Sequence, residues 1–106
     1  MIITSGTLGI EPDGKLAGDF EAQCHLVWAN TNRILNEGGM DLSNIVKVTT
    51  YLSNRDDAGA YRTIRDQYIS HNPASTVVIA SLINADWRIE TEVIAAKVAE
   101  GRIIAV

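Results

Sequence analysis

Residues 45–53, Ile-Val-Lys-Val-Thr-Thr-Tyr-Leu-Ser, are β-branched or aromatic at most positions, and no other run constrains the fold as much. Such a composition suits a pleated, packed surface and reads as a strand. Side chains alternate across a strand. That puts Val46, Val48 and Leu52 on one face and Ile45 and Tyr51 on the other. Residues 75–83 form a second strand of the same kind, in which Val78, Ala80 and Leu82 oppose Val77, Ile79 and Ile83. Both faces of both strands are largely apolar, so each face needs a cover.

Two helices supply one cover. Asp19 is a good N-cap, and Phe20, Val27, Trp28, Ile34 and Leu35 recur behind it at helical spacing. The pattern predicts a helix over about 19–37, stopped by Gly38-Gly39. A second helix is expected over about 57–71, capped by Asn54 or Asp56. Ala58, Tyr61, Ile64, Tyr68 and Ile69 form its stripe, with Arg62, Arg65 and Asp66 off it. Asn72-Pro73 ends it, because the residue before a proline is pushed out of the helical region. Residues 2–5 read as a short strand ending at Ser5-Gly6, and Glu11-Pro12-Asp13-Gly14 as a hairpin tip. Residues 87–98 read as a longer strand, and 102–106 as a last short one after Gly101. The order is β(β)αβαββ, with no repeat and no linker: one α+β domain. Two helices cover one face of a sheet, so the other face predicts self-association.

A chain of 106 residues that is 46% hydrophobic can build one core. A domain this small buries only about 60–70% of its unfolded surface, so association adds useful burial. The net charge of −4 and the scattered lysines and arginines disfavour a nucleic-acid partner, which needs clustered positive charge. The single cysteine, Cys24, excludes an intrachain disulfide. The first residues lack the basic start and apolar run of a signal peptide, and no stretch approaches the roughly 18 apolar residues of a membrane span. The expectation is a soluble cytoplasmic protein with no membrane partner.

The segments also resemble, in order and spacing, those of the Rid family, also called YjgF-like or endoribonuclease L-PSP-like. Ile2-Ile3-Thr4-Ser5-Gly6 is similar to its strand ending in Ser-Gly, and Gln23, Asn30 and Gly39 keep its spacing along the first helix. Residues 44–52 resemble its D-I-V-K-x-T-V-Y-L strand. Pro73-Ala74-Ser75-Thr76-Val77-Val78 resembles its P-A-R-T/S-x-V segment, and Ile89-Glu90-Thr91-Glu92-Val93-Ile94-Ala95 its I-E-I-E-A-I-A strand. The likeness spans nearly the whole chain.

The resemblance implies a chorismate-mutase-like α+β fold: a mixed sheet with two helices on one face, in a homotrimer with ligand clefts between subunits. In the deaminase branch those clefts hydrolyse enamines and imines derived from amino acids, with no metal or organic cofactor. An arginine fork binds the substrate carboxylate, and a carboxylate orients water. Carried over by residue, the arginine position is Ser75 and the water-orienting glutamate is Glu90. Ser5 and Gly6 help position the substrate through their backbone. Val77 stands where Cys, Ser or Thr is frequent, which removes a polar contact. The family's first strand, whose aromatic residue reaches a neighbouring site, has no counterpart before Ile2. Arg62 falls where a polar residue often faces the cleft, and is a candidate substitute for the missing charge. The tail 101–106 is a candidate substitute for the missing strand.

The implied function is action on a small enamine, imine or related metabolite, with deaminase activity altered or lost. The alternatives are a non-catalytic small-molecule binder or regulatory module and, disfavoured by the acidic charge, a ribonuclease or translation inhibitor. Plainer readings stand beside these. Glu90, Glu92 and Arg88 also read as a row of cross-strand charge pairs. Ser75 lacks a neighbouring base, since His71 lies across Pro73, and reads as structural or as a ligand contact. Cys24 and His25 point about 100° apart on one helix, so no metal site is expected there. Cys24 and Trp28 read as packing residues. Trp87 either lines a subunit cleft or caps the sheet. Ser5-Gly6-Thr7-Leu8-Gly9 lacks the Walker lysine and the dinucleotide spacing, and reads as a turn with exposed N–H groups.

Overall fold

The computed structural model describes residues 1–97. The expected tail strand at 102–106 lies outside them, as does the end of the 87–98 strand. The elements are β1 (Ile2–Ile3), β2 (Thr7–Leu8), α1 (Phe20–Glu37), β3 (Ile45–Leu52), α2 (Ala58–Tyr68), β4 (Ala74–Ile79) and β5 (Ile89–Ala95). The sheet order is β1-β5-β3-β4, with β2 also paired to β5. β3 and β4 run parallel, joined through α2, and the other pairs are antiparallel. Both helices pack on one face, over a core that includes Phe20, Val27, Trp28, Leu35, Val48, Leu52, Tyr61, Ile64, Ile89 and Val93. This is the expected α+β arrangement.

Local chemistry fixes the ends of α1. Asp19 sits in extended backbone and accepts a hydrogen bond from the Ala22 N–H at 2.8 Å, satisfying one of the orphan donors of the first turn. At the other end Gly39 takes the left-handed conformation, φ 77°. The Gly39 N–H then reaches Asn36 O and the Met40 N–H reaches Leu35 O, the paired bonds of a Schellman motif. Gly14, φ 90°, closes the predicted turn by donating to Glu11 O.

Three expectations about the strands and helices need correction. First, β3 carries an irregularity: Ile45 pairs Ala95 and Lys47 pairs Ile94, leaving Val46 as the extra residue. Simple alternation set Ile45 opposite Val48. The bulge turns it inward with Val48, Thr50 and Leu52, all buried. The outer face of β3 and β5 then presents Lys47, Thr49, Tyr51, Glu90, Glu92 and Ile94, so the open face is mixed and not largely apolar. Second, α2 stops at Tyr68, short of Asn72-Pro73. Ile69 leaves the helix at φ −116° and ψ 106° and buries its side chain in the core. Third, β4 ends at Ile79, where β3 runs out of partners after Leu52. The exposed apolar residues concentrate on this edge strand and beyond it: Val77, Val78, Ile79 and Ile83.

Gln23 and Asn30 pin α1 to its surroundings. Gln23 donates to Ala17 O and Asp86 O and accepts from the Arg88 N–H. Asn30 donates to Leu8 O and Ile10 O. Cys24 is fully buried on the same helix, and that burial pushes its thiol up to about 12, an effect the nearby Trp28 indole only partly offsets. A raised value favours the neutral thiol in the folded state. Its contribution to stability is therefore complete below the unfolded value of 9.0 and is lost as pH rises from there toward about 12. Urea unfolding across this window is expected to show a steeper loss of stability for the wild type than for Cys24→Ala; equal slopes would refute the assignment.

Candidate functional site

The sheet register brings Glu90 and Gly6 together on the open face. Glu90 pairs Leu8 on β2 and Tyr51 on β3. Gly6 lies in the break between β1 and β2, close enough that a Cβ built on it would stand 2.7 Å from the Glu90 carboxyl carbon. A side chain at position 6 would have to push the flexible Glu90 carboxylate aside. Ser5 beside it is exposed. Two positions along β5, Glu92 accepts a hydrogen bond from the Tyr51 hydroxyl at 3.2 Å. That bond, reinforced by the negative charge of Glu92, holds the Tyr51 phenol above its ordinary range. A half-buried carboxylate, a phenol and the Ser5-Gly6 segment therefore share one surface. The carboxylate can accept a proton or orient a water.

Arg88 does not join the Glu90–Glu92 row. It forms a forked ion pair with Asp57, with Nη2–Oδ2 at 2.8 Å and Nε–Oδ2 at 3.1 Å, and lies over the Phe20 ring. Its role is to tie the start of β5 to the turn before α2.

Ser75 lies on the other side of the sheet. It pairs Val48, whose side chain is buried under the helices, whereas Glu90 pairs the outward-facing Tyr51. Within one chain the two residues therefore point to opposite faces. Ser75 lines a cleft of about 400 Å³ with Val48, Arg65, Asp66, Ile69, His71 and other residues of the α2–β4 turn. His71 reaches this cleft despite the intervening proline, and its Nε2–H donates to Ile45 O at 2.8 Å, at the bulge. Val77 is on the same face as Ser75 and is exposed.

Arg62 is exposed on α2, makes no ion pair among the described residues and does not line the Ser75 cleft. The arginine that does is Arg65. The stripe pattern sets Arg65 off the buried face, whereas in the fold it is half-buried, with its guanidinium over the Tyr61 ring. Trp87 is half-buried and lines a separate hollow with Ser53, Asn54, Leu82 and Arg88 at the end of β3. Among the described residues no three His, Cys, Asp or Glu side chains cluster as a metal site requires, and no helix is long and apolar enough to cross a membrane.

The fold defines a class, the small α+β domains with two helices packed on one face of a mixed sheet. The family model for endoribonuclease L-PSP matches residues 1–97, and the chain belongs to that family, the Rid or YjgF-like proteins. A RutC family protein of Aquifex aeolicus is 32% identical over 100 residues, covering 91% of this chain and 80% of the relative. The 2-iminobutanoate/2-iminopropanoate deaminase of Salmonella typhimurium is 31% identical over 102 residues, covering 92% and 80%. Among solved structures, a putative endoribonuclease from Thermotoga maritima superposes with a TM-score of 0.86 at 31% identity, covering 92% of this chain and 79% of that one. RidA from an Antarctic Psychrobacter superposes with a TM-score of 0.84 at 26% identity, covering 88% and 77%.

Proposed function

We propose that this protein acts on a small enamine, imine or related metabolite in a cleft formed between subunits, and that ordinary 2-imino acid deamination is weakened or lost. The observation that carries the reading is the close approach of the Glu90 carboxylate to the Gly6 backbone on the open sheet face. Deaminase-named relatives at 31% identity supply the reaction class. In this reading Glu90 orients the water that attacks the imine carbon, the Ser5-Gly6 backbone holds the substrate, and no cofactor takes part. The nitrogen leaves as ammonia and a 2-oxo acid remains.

Ser75 is the reason for reduced activity. A hydroxyl carries no charge and cannot replace a bidentate guanidinium. Val77 adds no polar contact. Because Ser75 and Glu90 face opposite ways in one chain, a shared site draws them from two copies, in keeping with a homotrimer. The exposed apolar edge at Val77, Val78 and Ile79 favours such contacts. The test is release of 2-oxobutanoate from freshly generated 2-iminobutanoate, for the wild type and for Glu90→Gln. A small rate above the uncatalysed one, lost in the variant, is expected.

The alternative is a non-catalytic binder using the same surface. It predicts ligand-induced stabilisation, through linkage of binding to folding, without turnover.

A further inference from the structure

We infer that the imine taken at the Glu90 site is a cation without a carboxylate: the protonated imine of a simple alkylamine, and not that of an amino acid. The inference rests on the proposed function and names the substrate class of that same site. β5 lies between β2 and β3, so Gly6 and Tyr51 flank Glu90 on the open face. The Tyr51 hydroxyl donates its one hydrogen to Glu92 Oε1, which leaves only lone pairs on its oxygen for a ligand. The raised range of that phenol keeps the proton in place. Two carboxylates and a phenol oxygen therefore present acceptors and negative charge.

Among the described residues no free cation stands beside them. Arg88 is paired with Asp57. Lys47 shares the open face, but its Nζ donates to Thr76 Oγ1 at 2.8 Å. It also pairs Ile94, four residues along β5 from Glu90, or about 13 Å. Beside Ser75, Arg65 is neutralised by Asp66 at 2.9 Å, and Arg62 does not line that cleft. A substrate carboxylate would be repelled by Glu90 and Glu92 and would find no fork to hold it. The β4 face that a second copy brings carries Ser75, Val77 and Ile79, with Val77 and Ile79 exposed. That wall suits an alkyl group. A protonated imine satisfies both sides: its N–H groups donate to Glu90 and to Tyr51 Oη, and its chain lies on Val77 and Ile79. The water oxygen bonds to the imine carbon, one water proton passes to Glu90, and the C=N pair moves onto nitrogen. Glu90 returns the proton to nitrogen. The C–N pair then leaves with ammonia, which takes the hydroxyl proton, so an aldehyde and ammonium remain.

Propionamidine, a stable planar cation, stands in for the protonated imine. Propionamide is its neutral counterpart, and 2-oxobutanoate carries the carboxylate. Amide chemical shifts around Gly6 and Glu90 give the dissociation constants. Propionamidine is expected to bind at least about tenfold more tightly than either, the worth of one charge-assisted pair. Glu90→Gln is expected to abolish that preference. Tyr51→Phe, which removes the phenol oxygen and no charge, is expected to weaken propionamidine binding about threefold. The inference is overturned if propionamide or 2-oxobutanoate binds as tightly as propionamidine, if Glu90→Gln keeps the preference, or if Tyr51→Phe binds like the wild type. In turnover, the imine that a flavin amine oxidase makes from propylamine is expected to gain more over its uncatalysed hydrolysis than 2-iminobutanoate does. The reverse order, with both rates lost in Glu90→Gln, overturns the inference and leaves the proposed reaction standing. Cation binding of this pattern without turnover of either imine supports the inference and sinks the catalytic reading alone.

Discussion

Gly9→Ala is expected to cost about 3 kcal/mol or more of stability, at the upper end of what overpacking costs. A Cβ at this position would lie 2.5 Å from Gln23 Cα and 2.6 Å from Gln23 O, so the obstacle is the helix backbone and not a side chain that can turn away. Relief requires the segment before Ala17 to separate from α1. That shift would strain the Gln23 hydrogen bonds to Ala17, Asp86 and Arg88, which join three parts of the chain. Gly14→Ala meets no atom within 4 Å but keeps a positive φ, so it is expected to cost only about 1 kcal/mol. Urea midpoints of the two variants check the order. A Gly9→Ala protein as stable as the wild type would mean that the strand and helix are farther apart than described.

Glu90→Gln is expected to reduce any imine hydrolysis about 10²–10⁴-fold, the usual contribution of a positioned acid–base group. Glutamine keeps the shape and loses the charge, and the Glu90 site is half-buried at the sheet surface, so folding is expected to be preserved. Gly6→Ala attacks the same contact from the other side. Its methyl group would enter the space of the Glu90 carboxyl, 2.7 Å from Cδ, and push that flexible end away. Turnover in Gly6→Ala is expected to fall with little loss of stability, in contrast to Gly9→Ala. If Gly6→Ala retains full turnover while Glu90→Gln loses it, the carboxylate acts elsewhere than beside the Ser-Gly turn.

What the sequence conveyed depended on how local each determinant is. The Asp19 cap, the Gly39 stop and the Glu11–Gly14 turn each rest on a few neighbouring residues, and they are where the pattern put them. The bulge at Val46 rests on pairing between β3 and β5, nearly fifty residues apart, and alternation alone misassigned Ile45. The end of α2 was missed for a similar reason: Ile69 continues the helical stripe, yet it reaches the core only by leaving the helix. Two misread strands also made the open face look more apolar than it is.

The site divides in the same way. The family spacing pointed to Glu90 and to Ser5-Gly6, and the register sets Glu90 beside Gly6. Proline at 73 was read as separating His71 from Ser75, whereas the turn it shapes brings both into one cleft with Arg65. Arg62 drew attention through its place on the helix.

The most direct measurement is the initial rate of 2-oxobutanoate release from 2-iminobutanoate, for wild type and Glu90→Gln at equal folded concentration. The predicted result is a slow wild-type rate above the uncatalysed reaction that the variant does not retain. A fast wild-type rate that Glu90→Gln leaves unchanged would contradict the assignment of Glu90 and the significance given to Ser75.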